Sequence, residues 1–272
     1  MARVHPATAE DPTTAPAASG DPIVQVRGVG QTYEGGVEAL RGIDLDFPRG
    51  ELTTLLGPSG CGKTTLLKII AGLIEPGAGE VLVNGRPTRG PGPERAFVFQ
   101  DFALMPWATV LRNVAFGLEL RGVPRAEREA EARRRIAEVR LSGFEHSYPH
   151  QLSGGMRQRV GLARALAVDA DILLMDEPFA SVDEQTRRKF QEDLLALLAV
   201  ERKTVIFVTH SIEEAVYVSD QIVLLRRRPG SVSRVIRPGL RRAGDLEEVR
   251  RDQGYLDCVD EIWRVLRQYL DE

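Results

Sequence analysis

Gly57 to Thr64 reads GPSGCGKT, and this stretch with its flanks constrains the fold more than any other part of the chain. It fits the GxxxxGK[ST] phosphate loop, with the short apolar strand ELTTLL before it and the helix-patterned TTLLKIIAGL after it. A strand that feeds a glycine-rich turn and then a helix predicts an α/β fold. Without side chains at Gly57, Gly60 and Gly62 the backbone can curl and aim successive N–H groups inward, and the helix adds its positive N-terminal end. Such a cradle, completed by Pro58, Ser59 and Cys61, solvates an anion the size of a triphosphate. Lys63 is expected to reach the β- and γ-phosphates and Thr65 the α- and β-phosphates. The Thr64 hydroxyl is expected to be one ligand of a Mg²⁺ that keeps several waters. Cys61 is either a reactive thiol, its pKa lowered by Lys63 and the helix end, or a small packing residue.

Asp171 to Pro178 reads DILLMDEP, an apolar run that predicts a buried parallel strand delivering two carboxylates at its C-terminal end. Asp176 is expected to hold Mg²⁺ through its water shell. Glu177, facing elsewhere, is expected to orient and deprotonate an attacking water. A third segment, LSGGMRQR from Leu152 to Arg159, puts Ser153 where a helix N-cap belongs, followed by Gly154 and Gly155 and a helical run. A second anion-facing helix end is therefore predicted on the same chain.

The pair of motifs resembles the ATP-binding-cassette (ABC) ATPases over about residues 22 to 225. The resemblance implies a phosphate-loop, RecA-like core with an N-terminal antiparallel β region and an inserted helical lobe. In that family the LSGG element of one subunit closes over ATP held by the phosphate loop of another, so two chains head to tail make two sites. By the same resemblance, Tyr33 stacks on adenine and Gln100, closing the strand AFVF, touches Mg²⁺ and senses a neighbouring permease. His210, closing TVIFVTH, meets the γ-phosphate, and Asp183 in FASVD crosses the dimer interface. Ser181 and Val182 stand where the family usually has Ala-Leu, which leaves the geometry at Asp183 open.

Composition excludes several rivals. With 36 basic against 39 acidic residues and a net charge of −3, the chain carries no overall field for nucleic acid. Its 272 residues, 43% of them hydrophobic, suffice for a packed core. Cys61 and Cys258 are too few for a disulfide framework. No apolar run approaches the roughly 18 residues of a membrane span, so transport would need a separate permease.

Residues 1–21, rich in Ala, Pro and Thr, are expected to be a disordered leader. The ATPase domain is expected over 22–240, with the helical lobe at about 101–160 and a C-terminal helical tail over 241–272. Thr109 is expected to cap one lobe helix, and Pro124 to open a second whose many charges form a solvated face. QIVLLRRRPGSVSRVIR reads as a hairpin turning at Pro229 and Gly230, with Arg226 to Arg228 as an edge-strand charge row or an anionic-lipid contact. The tail YLDCVDEIWRVLRQYL reads as an amphipathic helix packed on its own domain.

Two stretches narrow the resemblance. GPGPERAFVFQ and ALMPWATVLRNVAFGLELRGV look like the ATPase subunits of nitrate, sulfonate and taurine importers, with Met105 in place of the usual leucine before Pro106 and Trp107. Phe102, Leu104, Met105 and Trp107 are either lobe packing or a permease-docking surface. The expected partners are a second copy of the chain, an integral membrane permease and, indirectly, a solute-binding protein, with the chain peripheral at the cytoplasmic face of the membrane. A regulatory or mechanical ABC ATPase is the alternative. The mechanical form needs a long heptad insert between the phosphate loop and LSGGM, which is missing, and the regulatory form usually carries two cassettes, whereas neither motif repeats.

Overall fold

The computed structural model describes residues 20–179, 184–227, 229–240 and 246–268. The expected leader therefore falls almost wholly outside the described residues, as do Asp183 with its Ser181 and Val182, Arg228, and the two ends of the tail.

The described residues form two sheets. The first is antiparallel, in the order β2 (Val37–Pro48), β1 (Pro22–Tyr33), β4 (Ala78–Val83), β5 (Arg86–Pro87). The second runs β10 (Ser231–Ile236), β9 (Gln221–Arg226), β3 (Leu52–Leu56), β8 (Thr204–Thr209), β7 (Ile172–Asp176), β6 (Arg95–Val98). It is parallel throughout except for β10, which returns antiparallel on β9. The strands β3, β7 and β8 are buried at every residue, as expected of parallel strands covered on both faces.

Strict alternation along these strands sorts their side chains into two cores. Leu55, Leu174, Ile206 and Val223 pack with α1 (Lys63–Ile70) and the antiparallel sheet. Leu56, Met175, Phe207 and Leu224 point the other way, toward α4 (Gly154–Ala167), α5 (Glu184–Glu201) and α6 (Ile212–Val218). The lobe is built on the second core. There α2 (Val110–Leu120) and α3 (Arg125–Glu138) pack on each other and on α4. Thr109 caps α2 as predicted, accepting from Arg112 N at 3.3 Å. Pro124 sits one position earlier than expected, at the cap of α3 itself.

Two readings of charge are corrected. Arg226 ends β9, which lies inside the sheet between β10 and β3, so the edge strand is β10; Arg227 lies in the turn that follows. The face of α3 is not uniformly solvated: Arg135 is buried and pairs with Glu131 at 2.8 Å, Glu138 at 3.0 Å and, across to α5, Glu201 at 2.6 Å. Those carboxylates outweigh the burial that opposes its charge and hold the guanidinium pKa above its ordinary value. After α7 (Leu246–Val249), the tail helix α8 (Gln253–Arg267) packs on its own domain through Tyr255, Cys258 and Ile262, as expected.

Candidate functional site

The site gathers at the C-terminal ends of β3, β7 and β8, where an open parallel sheet offers a crevice to a ligand. From β3 the chain turns through Gly57–Gly62 into α1. Gly62 caps that helix at a φ of 91° and uses no side chain to do it. A Cβ there would lie 2.5 Å from Leu40 Cδ2 and 2.9 Å from Ala39 O, so only glycine fits between the loop and β2. No cap side chain competes for the N–H groups of the first turn.

Lys63 is buried, and its Nζ donates to Gly57 O at 2.7 Å and Pro58 O at 3.2 Å. The ammonium is folded onto the loop's own carbonyls, within reach of anything the loop encloses. Cys61 is also fully buried, 4.0 Å from Lys63 Nζ. Burial pushes its thiol pKa up, and the nearby Lys63 charge only partly offsets this. The expected lowered pKa is thereby corrected: the helix end and Lys63 are present, but desolvation of a thiolate is the larger effect. Of the two readings open in the sequence, the structure favours the packing residue.

Thr64 Oγ1 donates to Asp176 Oδ1 at 2.9 Å, so the two groups expected to serve a metal meet directly. Burial raises the Asp176 carboxyl pKa, the Thr64 hydroxyl pulls it down, and the adjacent Glu177 charge raises it further. A carboxylate in that setting gains from a cation, and hydroxyl and carboxylate oxygens are the hard donors Mg²⁺ takes. Among the described residues no cluster of three or more His, Cys, Asp or Glu could cage a metal by itself. Two such oxygens leave the rest of the ion's shell to waters or phosphate oxygens. Gln100 does not close β6 as expected but lies exposed in the turn two residues past it; β6 is the neighbour of β7, Val98 pairing with Met175. No hydrogen bond among the described residues joins it to Thr64 or Asp176.

Glu177 follows β7 with a left-handed backbone, φ 44°, fixed by its N–H to Val208 O at 3.0 Å. Such a conformation costs a non-glycine residue about 1–3 kcal/mol. The kink separates Glu177 from Asp176 and brings its Oε2 to 3.1 Å from His210 Nδ1. His210 stands at the end of β8 with its side chain 64% exposed. Tyr33, at the end of β1, is exposed and shares a hydrogen bond with Thr65 Oγ1 at 3.0 Å, which puts its ring at the start of α1. Ser153 caps α4, accepting from Met156 N at 3.3 Å, and is exposed with Gly154 and Gly155 half-buried beside it.

Sequence reasoning missed what holds the segment after Gln100. Phe102 and Ala103 both have positive φ, 63° and 43°, and Arg164 of α4 clamps their carbonyls at 2.7 and 2.6 Å. Buried Asn113 of α2 bonds Met105, Ala108 and Thr109, accepting from Met105 N at 2.8 Å. These two side chains splay the apolar set: Phe102 goes into the core, while Trp107 stands 74% exposed. A polar residue on a helix carries no sequence signal for this, because its partners are backbone atoms of a loop. Likewise unforeseen is a cleft of about 370 Å³ between Gly57–Ser59, His210 and the tail helix residues Trp263 and Leu266.

Comparison with known proteins agrees with this geometry. A model described as "ABC transporter" matches residues 40–180. An ABC transporter ATP-binding protein of Methanocaldococcus jannaschii is 54% identical over 231 residues, covering 85% of each chain. A taurine import ATP-binding protein, TauB, of Chromobacterium violaceum is 51% identical over 225 residues, covering 82% of this chain and 85% of that one. Among solved structures, a dimeric ATP-binding cassette in a post-hydrolysis state with ADP and phosphate bound superposes with a TM-score of 0.71. It is 34% identical, and the match covers 79% of this chain and 98% of that one.

Proposed function

The chain belongs to the ABC transporter family of ATP-binding proteins and is a nucleotide-binding ATPase of that family; on this premise we propose that it powers an importer of a small sulfonate, taurine, nitrate or similar solute. The observation that carries the ATPase reading is the convergence of Lys63, the Thr64–Asp176 pair and the Glu177–His210 pair at three adjacent strand ends. The solute class is supported by the identity to the taurine import protein and by the GPGPER and MPW stretches.

In this reading the N–H groups of Gly57–Thr64 receive the phosphates of ATP, and Lys63 exchanges the Gly57 and Pro58 carbonyls for β- and γ-phosphate oxygens. Thr65 touches the α- and β-phosphates, and the Tyr33 ring lies on the adenine. Thr64, Asp176 and Gln100 would hold Mg²⁺, which when bound would neutralise phosphate charge. Glu177 takes a proton from the attacking water as its oxygen bonds the γ-phosphorus and the bond to ADP breaks. His210 steadies the γ-phosphate and keeps Glu177 oriented.

Ser153, Gly154, Gly155 and Asp183 of one copy complete the nucleotide site of a second. Two copies thus form a homodimer that closes on ATP and docks on a permease, which a solute-binding protein supplies. The chain is then peripheral at the cytoplasmic face of the membrane. Among its described residues no helix is long and apolar enough to cross one. Residues 22–240 form the ATPase domain, with the lobe at about 101–160 and the tail over 241–272.

Exposed Trp107, held out by Asn113 and Arg164, is the surface offered to the permease. Trp107→Ala should weaken co-purification with that permease and leave ATP binding unchanged. Deleting the chain should abolish uptake of one such solute. Unaltered uptake of all of them, with loss of an unrelated compound, overturns the solute class and leaves the importer reading. No associated membrane protein overturns both.

A further inference from the structure

Glu214 is a buried carboxylate that the proposed chemistry does not use. It lies on α6, 8% exposed, and both of its oxygens are occupied. Oε1 accepts from Gln191 Nε2 of α5 at 2.8 Å, and Oε2 accepts from the hydroxyl of Thr209, the last residue of β8. Gln191 and Thr209 are themselves buried. The same Thr209 oxygen accepts from Ser211 N at 3.1 Å, and Ser211 Oγ caps α6 by accepting from Glu214 N at 3.2 Å. His210 therefore sits between two residues that are each tied to Glu214, one through its carboxylate and one through its backbone. The helix at the other end of the bracket, α5, is the one that follows β7 and its carboxylates.

Burial pushes the Glu214 carboxyl pKa up, and the Thr209 and Gln191 bonds, then the Arg187 and His210 charges, pull it back. A carboxylate is costly to bury, and an apolar residue would pack there at less cost. A carboxylate differs from the isosteric amide in one respect that matters at this position: it accepts at both oxygens, and here it faces two donors.

We infer that Glu214 is a positioning residue for hydrolysis, bracketing the turn that carries His210 to the helix following the Asp176–Glu177 strand. It fixes the reach of His210 to Glu177 without touching the nucleotide. This rests on the proposed role of His210. Misplacing a reacting group by about 1 Å costs on the order of 10²-fold in rate, and losing one of two bracket bonds should cost less than that.

The test is steady-state ATP hydrolysis and nucleotide binding by the full chain. Glu214→Gln keeps the shape and forfeits one of the two acceptors. It should lower kcat by about tenfold while the affinity for a fluorescent ATP analogue stays within about twofold. Thr209→Val should reproduce that loss from the other end, and Thr209→Ser should restore it. In a His210→Ala background, Glu214→Gln should bring no further loss. A multiplied loss in that background, or a raised KM with unchanged kcat, overturns the inference and leaves the role of His210 intact. Normal hydrolysis by His210→Ala alone overturns both. Should Glu214→Gln fold poorly, the Thr209 pair carries the same comparison with His210→Ala.

Discussion

The two helix ends that carry the GPSGCGKT and LSGG motifs use the same backbone chemistry to opposite effect. At α1 the cap is Gly62, which spends no side chain on the first-turn N–H groups, and the chain folds Lys63, Asp176, Glu177 and His210 around them. At α4 the cap is Ser153, which satisfies one of those N–H groups itself, and its neighbour Arg157 is turned back onto Leu152 O at 2.7 Å. One end is surrounded by Lys63 and by groups from the ends of β7 and β8, and at the other Ser153 is exposed with Gly154 and Gly155 half-buried. A helix terminus alone is worth a fraction of a kcal/mol to an exposed anion. What turns it into a site is the set of groups delivered around it, and for α4 the proposed function has a second copy deliver them.

The largest expected effect tests the first end. Glu177→Gln should retain ATP binding, lose about 10²–10⁴ in hydrolysis rate and accumulate an ATP-bound dimer on gel filtration. Normal turnover by this variant removes Glu177 from its role.

The contrast itself is broken or sharpened by a pair of variants. Ser153→Arg should lower kcat by about 10²–10³ and prevent ATP-driven dimerisation while the monomer's ATP affinity is kept. Lys63→Ala should instead weaken ATP binding by about 10–100-fold, the worth of a charge-assisted hydrogen bond of roughly 1.5–3 kcal/mol. Equal loss of ATP affinity in both would make the two ends alike and sink the two-copy site.

Smaller effects probe what surrounds each end. On α4, Gln158 is fully buried, and among the described residues neither its Oε1 nor its Nε2 has a hydrogen-bond partner. A stranded amide costs about 1–3 kcal/mol, so Gln158→Leu should raise Tm by about 2–12 °C in a scanning measurement. A lower Tm would mean that the amide is bonded in solution. In the α1 loop, burial raises the Cys61 thiol, and it pushes Cys258 up to about 11. Both should react with Ellman's reagent at least about tenfold more slowly in the folded chain than in guanidinium, and faster as pH rises. Fast labelling of Cys61 at neutral pH would restore the reactive reading.

Much of this molecule was legible before folding was considered. Strand, loop and helix around GPSGCGKT follow from apolar runs and glycine spacing, and the cap at Ser153 follows from residue type, because each depends only on neighbours along the chain. The two carboxylates at a strand end were legible for the same reason.

Tertiary structure decided whatever depends on distant atoms. It set whether the Cys61 thiol is charged, since burial competes with Lys63, and it set which arm of the hairpin forms the sheet edge. It buried Arg135 among three carboxylates, turned Phe102 inward and Trp107 outward, and closed Glu214 between Gln191 and Thr209. The sequence by itself determined the elements and the type of chemistry, because backbone propensity and motif spacing are local. The environment of each group was left to the fold, because desolvation and hydrogen-bond partners come from residues far apart in the chain.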